Sequence, residues 1–174
     1  MAADPPDSPN LPGPGVPGGE PAGASDAPAA EPRRMRLTGL HHVTAICRDL
    51  DVTTEFYRDV LGLALVEEGV NDDDPNTRHF WFGDADGTPG TMITFMEYPQ
   101  LPDGVVGAGS VHHVAFVVET ADEQLAWRDY LRERGVGCTD VFDRGAFRSI
   151  YVRDPDGHIV EIATRGPGFA ADRI

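Results

Sequence analysis

His41-His42-Val43-Thr44-Ala45-Ile46 is answered seventy-one residues later by His112-His113-Val114-Ala115-Phe116-Val117. Both runs are short and apolar and open on a histidine pair, so each reads as a β-strand. Four of the six histidines therefore occupy matching places in two copies of one unit. A helix follows in each copy. Residues 53–62 put Phe56, Tyr57, Val60 and Leu61 at helical spacing and stop at Gly62, while Asp122 to Arg134 gathers Leu125, Ala126, Trp127, Tyr130 and Leu131 before Gly135. Each unit then shows a strand ending in an acidic turn, Arg78 to Gly87 and Arg148 to Gly157. The Arg, both Asp and the Gly recur at an offset of seventy. Closing strands follow over 91–98 and 158–164, and further strands are expected near 64–68 and 137–141. The order is βαβββ twice, an α+β pattern. A period near 70 exceeds a solenoid repeat and signals a duplicated half-domain. Two such halves pair into a curved, partly open mixed barrel around a cavity.

Side chains alternate along a strand, so His42 and Thr44 share one face and His41 and Val43 the other. His113 and Ala115 are likewise opposite His112 and Val114. On the last strand, Ile159-Val160-Glu161-Ile162 offers a carboxylate that completes a two-His, one-carboxylate metal set. The corresponding place in the first unit holds Thr94. A lone histidine beside a core is more often structural than a ligand, but two repeat-related pairs with an aligned Glu favour a metal site. His79 and His158 have no such support and read as surface residues. Asp72-Asp73-Asp74 and Asp84-Ala85-Asp86-Gly87 lack an EF-hand spacing and read as solvated turns.

Composition bounds the rest. Residues 1–36 are dominated by Pro, Gly, Ala and Ser, too poor in large apolar side chains to offset ordering entropy, and read as a disordered tail. Residues 37–169 make one domain, with modules at about 37–100 and 110–169, followed by a short tail over 170–174. The net charge is −15, all 14 basic residues are Arg, and Asp supplies 19 of the 29 acids. Such a surface disfavours nucleic acid and anionic membranes. Dense carboxylates without lysine suggest adaptation to a salt-rich cytoplasm, with acidic drift in a GC-rich genome as the plainer account. No apolar stretch is long enough to span a membrane. Cys47 and Cys138 lie far apart, as small buried hydrophobes in a reducing cytoplasm.

From Leu37 to Phe169 the sequence resembles the vicinal-oxygen-chelate superfamily, which includes glyoxalases, extradiol dioxygenases and bleomycin-binding proteins. Its motifs are most similar to those of hydroquinone ring-cleaving dioxygenases. The first module carries His41-His42-Val43-Thr44, Asn71-Asp72-Asp73-Asp74-Pro75 and Gly87-Thr88-Pro89-Gly90. The second carries Gln124-Leu125-Ala126-Trp127-Arg128, Asp143-Arg144, Ser149-Ile150-Tyr151 and Glu161-Ile162-Ala163-Thr164. The resemblance implies Fe(II), with Mn(II) as an alternative, held by His42, His113 and Glu161. It also implies that His41, Thr44, His112, Arg144 and Tyr151 surround a small aromatic substrate that reacts with O₂. Those enzymes typically have four modules and this chain two, which raises a homodimer and leaves open whether one chain or two exchanged halves build the site. The resemblance leaves three alternatives: a glyoxalase-type isomerase or lyase, disfavoured by Thr94; a fosfomycin-modifying transferase, which also uses two His and one Glu; and a dimeric bleomycin-sequestering protein without catalytic metal.

Overall fold

Parallel pairing of the first and last strand organises each repeat. The computed structural model describes residues 36–167. The expected N-terminal tail, apart from Arg36, and the expected tail over 170–174 lie outside the described residues. The first repeat runs β1 (His42–Cys47), α1 (Leu50–Thr54, continuing through the wider turns of Glu55–Val60), β2 (Ala64–Asn71), β3 (Asp74–Gly83) and β4 (Met92–Glu97). The second runs β5 (Val114–Val118), α2 (Ala121–Glu133), β6 (Phe142–Asp143), β7 (Arg148–Arg153) and β8 (Ile159–Thr164). Two four-stranded mixed sheets result, ordered β1-β4-β3-β2 and β5-β8-β7-β6. The βαβββ duplication and the α+β class are as the sequence reads, and the two sheets do not close on one another.

Local chemistry explains the departures. The first helix starts earlier than its apolar spacing suggests because the Asp49 carboxylate accepts from the Asp51 and Val52 amides at 2.8 and 3.2 Å. It then widens, with Leu61 N–H donating to Phe56 C=O at 2.9 Å, a five-residue step, and stops where Gly62 takes φ +75°. A reciprocal box between Thr120 and Glu123 starts α2. The strand expected over 137–141 shrinks to Phe142–Asp143 plus a single bridge between Cys138 and Val152. Gly135 and Gly137 leave that stretch little side-chain surface to pack.

One pleat face of each sheet makes the core. Phe80, Phe82, Ile93 and Phe95 of the first sheet join Ile150, Val152, Val160 and Ile162 of the second in one buried cluster with Leu50, Tyr57 and Leu131. Gln124, fully buried on α2, donates through Nε2 to Arg148 C=O and Ile162 C=O at 2.8 Å each, locking the helix to β7 and β8. The opposite faces carry His42, Thr44, His79, Trp81 and Thr94 on one sheet and His113, Ser149, Tyr151 and Glu161 on the other.

The modules are fastened by a buried carboxylate. Asp154 Oδ2 accepts from Tyr57 O–H at 3.1 Å and lies 2.8 Å from His158 Nδ1, while Oδ1 takes the Asp156 and His158 amides at 3.1 and 2.8 Å. His158 is therefore not the plain surface residue expected. It is half-buried, its ring meets Phe95 at 5.9 Å, and the bond to Asp154 raises its pKa against the opposing effect of burial, with Asp156 adding to the rise. A folded-state pKa above the unfolded value makes this contribution full below about 6.5, lost as pH climbs through the folded value. Thermal melts of His158→Asn should thus show a larger loss of Tm against the parent at pH 6 than at pH 9. Equal losses at both would mean that the imidazolium contributes nothing.

Candidate metal centre

Register in the second sheet brings two of the three candidate ligands together. Parallel pairing of β5 with β8 sets Ala115 opposite Glu161, and antiparallel pairing of β7 with β8 sets Tyr151 opposite Glu161. His113, two residues before Ala115, lies on the same face. Its Nε2 is 2.9 Å from Glu161 Oε2. Glu161 is only 3% exposed, and its other oxygen, Oε1, accepts a short hydrogen bond from the Ser149 hydroxyl. A buried carboxylate is costly unless each oxygen is matched, and here both are. An imidazole nitrogen and a carboxylate oxygen so close together, on a buried support, are a donor pair that suits a borderline divalent cation.

The flanking residues form a cleft of about 830 Å³ lined by His112, His113, Cys138, Phe142, Arg144 and Tyr151. His112 Nδ1 lies 2.9 Å from His113 Nδ1, so only one of the two nitrogens carries the proton there. The Tyr151 ring meets His113 edge-on at 5.9 Å, and its hydroxyl takes a bond from Arg144 at 3.3 Å. That guanidinium also lies over the Phe142 ring, 5.1 Å from its centroid. Phe142 escaped the sequence reading because it falls in the irregular stretch where a strand was expected earlier. The support from Ser149 follows from alternation on β7, which puts it on the same face as Tyr151.

His42 is held elsewhere. On the open face of the first sheet its ring lies 4.8 Å from Trp81, and its Nδ1 is 3.0 Å from His41 Nδ1. Among the described residues, no three His, Cys, Asp or Glu side chains converge closely enough to hold a metal ion. One chain thus unites His113 with Glu161 and leaves His42, with His41 and Thr44, on the other module. His79 departs from the surface role expected of it. It is half-buried with Nε2 2.9 Å from Thr94 Oγ1, and burial, seconded by His42, lowers its pKa. Both thiols are unsuited to ligation as they stand. Burial pushes Cys47 up to about 12 and raises Cys138, which is half-buried at the cleft rather than fully buried as expected.

The family model for the Glyoxalase/Bleomycin resistance protein/Dioxygenase superfamily matches residues 39–162. "Putative ring-cleaving dioxygenase MhqO" of Bacillus subtilis (strain 168) is 39% identical over 135 residues, covering 78% of this chain and 43% of that protein. A crystal structure of a "putative dioxygenase from Bacillus subtilis subsp. subtilis str. 168" superposes with a TM-score of 0.68 at 38% identity, covering 74% of this chain and 41% of that one. "Metallothiol transferase FosB" of Staphylococcus epidermidis (strain ATCC 12228 / FDA PCI 1200) is 28% identical, covering 80% of this chain and 89% of its own length. The chain spans less than half the length of the dioxygenase relatives it matches.

Removing the hydroxyl that orients Glu161 tests the pair. In Ser149→Ala, Mn(II) affinity measured by calorimetric titration should fall by about 10–100-fold. Unchanged affinity would show that the serine does not position the carboxylate.

Proposed function

This chain belongs to the glyoxalase/bleomycin resistance protein/dioxygenase superfamily, and on that premise we propose that it is a non-haem, Fe(II)-dependent dioxygenase that cleaves the ring of a hydroquinone or catechol-type aromatic. The observation that carries the reading is the pairing of the buried Glu161 carboxylate with His113, whose exposed ring opens onto a cleft walled by Phe142, Arg144 and Tyr151. Likeness to proteins named as ring-cleaving dioxygenases supports it. His42, His113 and Glu161 would hold Fe(II), or Mn(II) through the same donors, and the metal would supply Lewis acidity toward a phenolic oxygen and redox chemistry toward O₂.

The chain's own residues do the rest. Phe142 gives the substrate ring an apolar surface to stack on. Arg144, bonded to the Tyr151 hydroxyl, makes that hydroxyl a stronger donor toward charge developing on a substrate oxygen. His112, in contact with His113, orients the ligand ring through its second nitrogen. His41 does the same for His42, and Thr44 offers a hydroxyl two residues further along the same strand.

The catalytic unit is residues 37–169, and its third ligand comes from a second copy. Each dioxygenase relative is more than twice the matched length, so two copies supply as many modules as one such relative. Each open sheet face ends in a strand paired on one side only, β1 and β5, and Ile46 and Val117 project there with 39% and 54% of their surface exposed. His42 on the face of one copy then meets His113 and Glu161 on the face of the other. The protein works in the cytoplasm on a small molecule; no helix among the described residues is long and apolar enough to cross a membrane. A thiol-transferase reading is favoured by one observation, the nearly full-length match to FosB. The stacked Phe142, Arg144 and Tyr151 suit a planar aromatic better.

After anaerobic loading with Fe(II), the protein should take up one O₂ per ring opened from a panel of hydroquinones and catechols. His113→Ala and Glu161→Ala should each lose both iron and turnover; normal iron in either would contradict the ligand assignment. Co-refolding equal amounts of His42→Ala and Glu161→Ala should restore about one quarter of wild-type activity, since half of the dimers are mixed and each has one intact site. No recovery would put all three ligands in one chain.

A further inference from the structure

A chain of three side chains crosses the open face of the first sheet. Strand pairing sets Thr44 opposite Thr94 and Thr94 opposite Trp81, so the three lie in one row. His79, two residues before Trp81, points to the same face. Its Nε2 is 2.9 Å from Thr94 Oγ1, and Thr94 Oγ1 is 3.1 Å from Thr44 Oγ1. Thr94 is fully buried, whereas Thr44 is exposed beside His42.

The duplication shows what is unusual here. His79 and Trp81 precede Ser149 and Tyr151 by seventy residues, and Thr94 stands where the second module has Glu161. In the second module the corresponding bond, from Ser149 to Glu161, ends on a carboxylate that only accepts. In the first it reaches a hydroxyl, which accepts from one neighbour and donates to another, so the bond is passed on to Thr44. A buried hydroxyl has one proton. Once His79 Nε2–H donates to it, that proton goes to Thr44, and the Thr44 proton is left to point outward from the open face. Bonds in such a line polarise one another. Trp81 packs against the His79 end, ring to ring at 5.2 Å, and its other neighbour on this face is His42 at 4.8 Å.

We propose that His79 and Thr94 are positioning residues, which hold the Thr44 hydroxyl as an oriented donor to an oxygen of the aromatic substrate. This rests on the dioxygenase reading above for its substrate, but the relay belongs to the protein alone. Burial, with His42 beside it, lowers the pKa of His79, in keeping with a neutral ring that has one N–H to give; Asp72 and Glu67 act in the opposite direction.

The first test needs neither metal nor substrate. In ¹⁵N-histidine spectra of the metal-free wild-type protein, His79 should be locked in the Nε2–H tautomer, and Thr94→Val should release it to a mixture. An Nδ1–H tautomer in the wild type overturns the proposal. The second test uses the iron-loaded protein. His79→Phe, which keeps a ring against Trp81, and Thr94→Val, which keeps the shape of the side chain, should lower kcat by about 10–100-fold, with KM and iron content unchanged. His79→Gln, whose amide nitrogen can reach the place of Nε2, should recover most of that loss. A wild type that cleaves rings while His79→Phe matches it, or a Gln variant as slow as the Phe variant, overturns the relay and leaves the dioxygenase reading standing. A wild type inert toward every hydroquinone and catechol overturns both.

Discussion

The contact between His113 Nε2 and Glu161 Oε2, 2.9 Å long and closed to solvent on the carboxylate side, is the constraint around which the rest is arranged. It exists because β5 runs parallel to β8 in a register that sets Ala115 against Glu161. A slip of one residue would turn Glu161 into the core and Val160 out of it. The cost of burying the carboxylate holds that register in place from the other side, since only there do Ser149 and His113 meet its two oxygens. Gln124 adds a third hold, tying α2 to the backbones of β7 and β8 on either side of the pair.

The two modules spend the same scaffold differently. Both turn an apolar face to a shared core, and both leave the histidine-bearing face open. In the second module that face ends on a carboxylate, the group a cation needs. In the first it ends on a hydroxyl that passes a hydrogen bond onward. One half is equipped to hold charge and the other to direct a proton. They are joined within the chain by Asp154, which Tyr57 reaches from the first module.

Much of this was legible in the sequence. Histidine pairs opening apolar runs gave the repeat, the acidic turns fixed its offset, and the resemblance to ring-cleaving dioxygenases grouped Glu161 with His113. Composition and spacing were silent where a residue's role depends on another strand. His79 reads as a stray polar residue until β3 is laid beside β4 and Thr94 comes within reach. His158 likewise reads as a surface residue, because nothing near it in sequence shows that Asp154 is buried with Tyr57, some hundred positions earlier. Phe142 was obscured by glycines that disrupt the expected strand. The separation of His42 from the other two candidate ligands is a matter of how whole modules face each other, which no local pattern encodes.

The most direct measurement of the central claim is the anomalous diffraction of crystals grown with Mn(II). The account predicts a single strong peak per site bonded to His113 Nε2 and Glu161 Oε2, with the His42 imidazole of a neighbouring copy as third protein ligand. A peak confined to other carboxylates, with His113 and Glu161 still in direct contact at 2.9 Å, would contradict it.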